Sequence, residues 1–218
     1  MRARDLASTL GVRHSEMPTR EIDNPGYSAN GPDRCYFCKA TLIDTLAASG
    51  YVSPGTLLVT GTNADDVQAG WRPGIRAAAE RGAGTPLADT GLGKAAVRAL
   101  SRRWGLPSAD LPASPCLSSR IAYGIQITPR RLARVDAAEV ALRQLLAAAG
   151  IASHDLRVRD LGTGVRVEVD AAAVPAVQQL PALADAVARA GFDAAPVTVV
   201  AFSSGALNSA LPADLRFR

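Results

Sequence analysis

Hydrophobic and polar positions follow helical spacing through most of the first half of the chain. This spacing predicts helices over residues 2–10, 34–48 and 94–104, with loops rich in glycine and proline between them. The third helix carries its apolar residues on one face, so we expect that face, which ends at Trp104, to be buried. The pattern therefore predicts a first region built mainly from helices.

One compact apolar run, residues 56–60, interrupts these helices. Pro54-Gly55 and Gly61 bound the run, and its apolar residues do not alternate with polar ones, which is typical of a buried parallel strand. Ligands of open parallel sheets bind at the carboxyl ends of the strands. The polar loop 61–66, which follows the run directly, is therefore the expected place for a site.

The second half of the chain predicts a different arrangement. Thr128-Pro129 begins a long amphipathic helix that should continue to about residue 149. Residues 156–159 and 165–169 alternate around a Gly-Thr-Gly turn and predict a hairpin. A helix over residues 173–190 and a strand over 197–202 would complete a βαβ-like unit. We place the boundary between the two regions near Gln126, which gives domains 1–126 and 127–218.

Arginine side chains alternate along the predicted hairpin. Arg157, Arg159 and Arg166 would share one face, and a basic row that faces solvent is the usual explanation of such a pattern. An anion-binding site is the sharper alternative.

Composition indicates a folded protein with an anionic ligand. Hydrophobic residues make up 48% and charged residues 20% of the 218 residues, which is typical of a globular domain. The N-terminus lacks the apolar segment of a signal peptide, so we expect a cytoplasmic protein with reduced thiols. A net charge of +4 suits a nucleotide, whereas an aromatic content of 5% and the lack of a Lys/Arg run argue against a nucleic-acid surface.

All three cysteines lie in polar segments where buried thiols are not expected. Cys35 and Cys38 would sit in the first turn of a helix with Asp33 as its N-cap, where the helix dipole favours thiolates. With Cys116 they could hold a [4Fe–4S] cluster, hold zinc with a fourth ligand, or form a persulfide or disulfide relay. Spacing alone leaves these readings open, together with three cysteines of no special role.

Other polar residues could have either a functional or a purely structural role. Asp65 and Asp66 could bind magnesium or a ribose, or could cap a helix in a solvated loop. Lys94 at a helix start could meet a phosphate, or could be an exposed lysine of a first turn. Arg120 could neutralise a carboxylate or a phosphate.

Several short motifs run through most of the chain: Tyr27-x-x-Asn30, Arg34-Cys-Tyr-Phe-Cys-Lys39, Gly61-Thr-Asn-Ala-Asp-Asp66, Arg72-Pro-Gly74, Pro86-Leu87 with Lys94 and Arg98, and Pro115-Cys-Leu-Ser-Ser-Arg120 with Tyr123-Gly124. Together they resemble one family, the LarE sulfur transferases among the PP-loop ATP pyrophosphatases. The resemblance implies that ATP adenylates a carboxylate of a pyridinium mononucleotide, with release of pyrophosphate. A thiocarboxylate of the nickel-pincer cofactor precursor would follow.

The resemblance also implies the roles of individual residues. Members of the family with three cysteines hold a [4Fe–4S] cluster whose open iron carries an extra sulfide, so Cys35, Cys38 and Cys116 are the expected ligands, and these cysteines with Arg120 the expected catalytic set. Residues expected to bind ATP, Mg²⁺ or the substrate phosphate are Asn63, Asp65, Asp66, Arg72 and Lys94. The expected partners are ATP and a pyridinium dicarboxylate mononucleotide, in a homo-oligomer with no membrane and no nucleic-acid partner.

One departure from the family pattern concerns the nucleotide loop. The Ser-Gly-Gly-x-Asp-Ser loop of the family is absent, and the nearest string, Phe202-Ser-Ser-Gly205, lies at the opposite end of the chain. We therefore expect an α/β protein: a truncated PP-loop (HUP/Rossmann-like) parallel-sheet domain, incomplete at its N-terminus, followed by a smaller α/β domain. A PP-loop tRNA thiolase and a non-catalytic, metal-stabilised binding protein are the alternatives.

Overall fold

Residues 3–53, 55–70, 72–111, 115–193 and 195–203 are described by a computed structural model of the chain. They divide into two units, of which the first contains residues 3–24 and 33–111 and the second residues 25–32 and 115–203. The predicted boundary at Gln126 lies inside the second unit. Arg2, at which the first predicted helix begins, and Pro54 and Gly205 lie outside the described residues.

The described residues combine helices with a three-stranded sheet, which confirms an α/β protein at the level of its class. The helices, in chain order, are α1 (Ala3–Leu10), α2 (Pro25–Ser28), α3 (Arg34–Ala48), α4 (Ala64–Gln68), α5 (Pro73–Ala79), α6 (Pro86–Asp89), α7 (Lys94–Arg103), α8 (Pro129–Ala148), α9 (Val174–Gln178) and α10 (Leu183–Arg189). The strands are β1 (Leu156–Asp160), β2 (Val165–Val169) and β3 (Val197–Ala201). Helix α2 and all elements from α8 onward belong to the second unit.

Helix α3 has the bounds and the N-cap residue that the sequence predicts, but Asp33 does not cap the helix with its side chain. Asp33 has φ −86° and ψ 5°, and its side chain accepts no capping hydrogen bond. An N-cap side chain reaches the first turn from an extended backbone, and Asp33 instead continues the turn. Its carboxylate accepts a hydrogen bond from Arg76 of α5 at 3.4 Å. This bond joins the start of α3 to the helix that packs against it.

Residues 56–60 do not form the buried strand that the sequence predicts. Within the described part of the first unit, the run makes a single parallel bridge, Val59 to Gly84. Leu57 is 74% and Val59 49% exposed. A parallel strand is buried only when neighbouring strands and helices cover both of its faces, and one bridge does not supply them. The parallel direction was predicted correctly and the burial was not.

The predicted burial of Trp104 is also wrong. Its side chain is 68% exposed, because the residue lies at the C-cap of α7, where the helix ends.

The second unit is a three-stranded sheet covered by α8, α9 and α10. Strand β1 pairs antiparallel with β2, and β3 lies parallel to β2, so the predicted hairpin and βαβ-like unit are confirmed. The predicted single helix over 173–190 is two helices, α9 and α10, with Pro181 between them. Proline has no N–H to donate and clashes with the preceding turn, which explains the break.

One face of α8 packs on this sheet. Val135, Ala138, Leu142 and Leu146 are buried against the apolar face of β1 and β2. Thr128 accepts a hydrogen bond from the Arg131 N–H and caps the helix, as its position before Pro129 predicts.

Candidate functional site

Helix α3 carries two cysteines on successive turns, and neither is in a disulfide. Cys35 is exposed and Cys38 half-buried, three residues apart on one face. Close packing of α3 on α5 holds this part of the helix, since a Cβ at Gly74 would lie 3.3 Å from the Cys35 carbonyl oxygen. Tyr36, between the two cysteines, lies with its ring 4.9 Å from the Arg76 guanidinium. The thiol pair therefore sits on a well-anchored helix start.

The third thiol belongs to the second unit, in residues 115–120, which we call the Cys116 loop. Cys116 is free and exposed, with the extended backbone of an N-cap before the short 3₁₀ helix Leu117–Arg120. Its carbonyl oxygen accepts the Ser119 N–H at 3.0 Å and the Ser119 hydroxyl at 2.7 Å. The loop backbone is thus bonded to itself while the thiol remains open to solvent.

Arg120 is the last residue of the Cys116 loop; its side chain turns back under residues 115–119 and is 4% exposed. Its Nε donates to Glu139 of α8 at 2.8 Å, and its Nη1 donates to the Pro115 carbonyl at 2.8 Å. The same Nη1 lies 3.4 Å from the Cys116 carbonyl oxygen. The guanidinium that the sequence assigned to a substrate anion is therefore directed at groups of the protein.

Two of the three arginines of the β hairpin are buried and Arg166 is half-buried, so the predicted solvent-facing row is wrong. Arg157 is 9% and Arg159 7% exposed. Arg159 donates to Glu168 of β2 at 2.7 Å and to the Ser119 carbonyl at 2.8 Å. The face of the hairpin opposite the apolar core is thus covered by the Cys116 loop, which alternation alone does not reveal. Burial, assisted by the charge of Arg120, lowers the pKa of Arg157.

Residues 25–32 support the segment that follows the Cys116 loop. Asn30 is fully buried, with φ 57°, a left-handed conformation that asparagine tolerates better than most residues. Its side-chain amide donates to the carbonyls of Ala122 and Ile125 at 2.8 Å each. The hydroxyl of Tyr27 is hydrogen-bonded to that of Ser118. The Tyr27-x-x-Asn30 motif therefore has a structural role in this unit.

Asp160, at the end of β1, is a buried carboxylate with two arginine partners. It is 1% exposed, accepts a hydrogen bond from Arg131 at 2.8 Å, and forms an ion pair with Arg134. Burial opposes ionisation, but the hydrogen bonds from Arg134 and Arg131 and from the Gly162 N–H outweigh it, so the pKa of Asp160 is lowered.

We expect Asp160 to make the second unit sensitive to acid. A carboxyl whose folded pKa lies below its unfolded value, near ~3.9, stabilises the fold above that value and loses this contribution as pH falls through the folded pKa. Asp160→Asn should cost about 2 kcal/mol at pH 7, since hydrogen bonds to charged groups are lost, and less near pH 3. Urea unfolding at both pH values measures this difference. The control is Asp136→Asn, at an exposed position of α8; an equal loss for Asp160→Asn at both pH values would contradict the prediction.

Four of the residues predicted to bind nucleotide or metal lie together in the first unit. Asn63 caps α4 in a reciprocal capping box with Asp66. Asp65 accepts the Lys94 N–H at 2.7 Å, so a carboxylate already occupies the start of α7. The Lys94 ammonium lies 3.9 Å from Asp66. Magnesium or a phosphate would bind here only in competition with these bonds.

Arg72, the fifth predicted residue, lies elsewhere in the first unit. It is at the N-cap position of α5 with an exposed side chain. Trp71, beside it, lies outside the described residues.

The lack of a side chain at Gly93 leaves room for the Asp65 carboxylate at the start of α7. A Cβ at position 93 would lie 2.8 Å from a carboxylate oxygen of Asp65. Gly93→Ala should therefore displace the carboxylate and lower stability by about 1 kcal/mol, the usual cost of losing a helix cap. Gly61→Ala is the matched control, because nothing lies within 4 Å of its Cβ. Thermal unfolding of the two variants tests this, and equal melting temperatures would contradict it.

The chain contains side chains of the type that binds an iron–sulfur cluster. A [4Fe–4S] cluster is bound by thiolates, and Cys35, Cys38 and Cys116 are outside any disulfide and accessible at least in part. Within the described residues, neither unit gathers three His, Cys, Asp or Glu side chains into a metal-binding group. Two of the thiols belong to the first unit and the third to the second.

The sequence reading missed the two glutamates that hold the arginines below the Cys116 loop. Glu139 and Glu168 are 3% and 1% exposed. The signal for Glu139 was present, because it shares the inward stripe of α8 with Ala138 and Leu142, and a charged residue on an apolar stripe requires a partner. Its partner, 19 residues earlier in the chain, could not be chosen without the fold.

Comparison with known proteins identifies relatives, although no family model matches the chain. The chain is 38% identical over 212 residues to the uncharacterized protein slr1717 of Synechocystis, and the match covers 96% of the chain and 76% of that protein. It is 31% identical over 144 residues to the pyridinium-3,5-bisthiocarboxylic acid mononucleotide synthase of Lactiplantibacillus plantarum. The uncharacterized protein MJ0830 of Methanocaldococcus jannaschii is 29% identical over 141 residues. The matches cover 52% of each of these two proteins.

None of the helices in the described residues is both long enough and apolar enough to cross a bilayer.

Proposed function

The chain belongs to the family of the Synechocystis protein slr1717, and we propose that it is a LarE-like sulfur transferase of nickel-pincer cofactor biosynthesis. Its substrate would be a pyridinium carboxylate mononucleotide, activated by ATP with Mg²⁺ and converted to a thiocarboxylate. The reducing cytosol, where thiols stay reduced, is the proposed setting, and a homo-oligomer the proposed assembly.

The observation that carries this proposal is the state of the three cysteines. None is in a disulfide, each is open to solvent at least in part, and each lies in the first turns of a helix or at the start of a 3₁₀ turn held by bonds to neighbouring elements. A buried structural thiol would have neither property. The partial similarity to a protein named as a thiocarboxylate synthase gives these thiols a reaction of matching chemistry.

Residue roles follow from the same chemistry. We propose that Cys35, Cys38 and Cys116 hold a [4Fe–4S] cluster, which when bound supplies the sulfide for transfer. Asn63, Asp65, Asp66 and Lys94 form the group proposed to meet nucleotide or metal, with Arg72 a further candidate for a phosphate. Because Asp65 already accepts the Lys94 N–H at 2.7 Å, anion binding at this group requires that the carboxylate move or that a cation intervene.

Incubation of the anaerobically reconstituted protein with ATP, Mg²⁺ and a pyridinium dicarboxylate mononucleotide tests the proposal. We expect release of pyrophosphate and a product with the mass of one oxygen exchanged for sulfur. A parallel reaction with unmodified tRNA should give no thiolated nucleoside. Thiolated tRNA would favour the thiolase alternative, and consumption of neither ATP nor either acceptor would contradict an activity of this chain.

A further inference from the structure

We propose that Arg120 is a positioning residue, which together with Arg159 fixes the backbone of the Cys116 loop and so holds the Cys116 thiol open to solvent. This inference deepens the proposed function and rests on it in one respect, that Cys116 is a working thiol. It replaces the expectation that Arg120 meets the substrate carboxylate.

Carbonyl oxygens of the Cys116 loop are bound from below by the two arginines. Arg120 Nη1 donates to the carbonyl of Pro115 at 2.8 Å and lies 3.4 Å from that of Cys116. Arg159 Nη1 donates to the carbonyl of Ser119 at 2.8 Å. A guanidinium presents five N–H donors in one plane, so one side chain can hold several acceptors at fixed directions. The two side chains thus hold both ends of the loop.

Each of these arginines is itself fixed by a buried glutamate. Arg120 Nε donates to Glu139 at 2.8 Å, and Arg159 donates to Glu168 from Nε at 3.0 Å and from Nη2 at 2.7 Å. Glu139 lies on α8 and Glu168 on β2, and both carboxylates are almost completely buried. Burial strengthens such charge-assisted bonds and leaves few alternative arrangements. The Cys116 loop is therefore tied to the regular elements of the second unit.

The burial of Arg120 decides between positioning and substrate contact. Its side chain is 4% exposed, and its Nε and Nη1 both have protein acceptors. A substrate carboxylate could reach the guanidinium only if the backbone of residues 115–119 moved away from it. The thiol of Cys116, in contrast, is accessible in the loop as it stands.

The test compares a charge-neutral double variant with the unaltered protein. Arg120→Gln with Glu139→Gln removes both charges together, so no buried charge is left without a partner and the unit should still fold. Arg143→Gln is the matched control, because Arg143 donates to the other oxygen of Glu139 and is 54% exposed. A melting curve for each variant establishes that it is folded.

Hydrogen exchange and alkylation then report on the loop without reference to the reaction. The Ser119 N–H, bonded to the Cys116 carbonyl, should exchange about tenfold faster in the double variant, since bonds to charged donors are lost. The rate of Cys116 alkylation by iodoacetamide should change, whereas that of Cys35, in the other unit, should not. Arg143→Gln should behave like the unaltered protein in both measurements. Unchanged exchange and alkylation in the folded double variant would overturn the proposal.

Kinetics separate positioning from a direct contact with substrate. We expect Arg120→Lys to lower kcat about tenfold with KM unchanged, because a lysine carries the charge but cannot hold several carbonyls in a plane. A raised KM with unchanged kcat would indicate a contact with substrate and overturn the proposal. If the unaltered protein forms no product at all, the proposed function fails, and exchange and alkylation still decide the role of Arg120.

Discussion

Replacement of Cys116 by alanine is expected to remove the cluster while leaving the fold intact. Reconstituted protein should hold about four irons per chain, and the variant should hold fewer than about one, since a cluster with three protein thiolates loses one of them. Sulfur transfer should fall more than about 100-fold, because even changes in residues behind metal ligands cost about 10- to 100-fold. Iron analysis and visible absorption measure the first effect, and product mass the second.

The melting temperature of Cys116→Ala and the metal content of two histidine variants are the controls. The thiol is exposed, so the melting temperature should stay close to that of the unaltered protein. His14→Ala and His154→Ala should leave iron content unchanged, whereas a zinc site that used an imidazole would lose its metal in one of them. Full iron content in Cys116→Ala would contradict the assignment of this cysteine.

Glu139→Ala is expected to lower the free energy of unfolding of the second unit more than Asp160→Asn or a substitution of Arg143 does. Glu139 accepts hydrogen bonds from Arg120 at 2.8 Å and from the Val158 N–H at 3.1 Å, all within the buried layer below the Cys116 loop. Alanine leaves a buried guanidinium without its counter-charge and a backbone N–H at the edge of β1 without an acceptor. Removal of one partner of a buried ion pair costs about 3–5 kcal/mol.

Thermal unfolding measures the loss in Glu139→Ala. For a unit of this size we expect the melting temperature to fall by more than about 10 °C, at about 4–8 °C for each kcal/mol. Glu139→Gln keeps an acceptor and nearly the same volume, and should lose less. Arg143→Ala removes only the exposed partner and should lose about 1 kcal/mol or less. A melting temperature of Glu139→Ala close to that of the unaltered protein would contradict the role assigned to the buried pair.

Local signals in the sequence were sufficient to predict most helices and strands of the second unit. Thr128-Pro129 marks the start of α8, and alternation around the Gly-Thr-Gly turn marks the hairpin, because a cap and a tight turn depend on neighbouring residues. The prediction of a single helix over 173–190 was wrong because Pro181 breaks the helix, although the apolar pattern continues through it.

Burial in the first unit could not be predicted in the same way. Residues 56–60 have the composition of a buried strand, but the exposure of Leu57 depends on which other segments pack beside it. Trp104 fits the apolar face of α7 by spacing alone, although the helix ends one residue before it. Period and composition identify an element, and its burial depends on neighbours distant in sequence.

The candidate site shows the same division. The cysteines and the acidic loop could be named because the types of their side chains carry chemistry. The directions of those side chains could not be predicted. Asp65 accepts a hydrogen bond from the first N–H of α7, and Arg120 and Arg159 donate to backbone carbonyls of the Cys116 loop. Both outcomes depend on contacts between residues that are far apart in the chain.

Labelled sulfide is the most direct test of sulfur transfer by the three cysteines. The protein is reconstituted with iron and heavy-isotope sulfide under anaerobic conditions, freed of excess sulfide, and given ATP, Mg²⁺ and the pyridinium dicarboxylate mononucleotide. We expect a thiocarboxylate that carries the heavy isotope, with all three cysteines unchanged in the mass spectrum of the protein. A product that carries only light sulfur, or a chain whose mass shows the loss of sulfur from a cysteine, would contradict delivery of sulfide from a cluster at Cys35, Cys38 and Cys116.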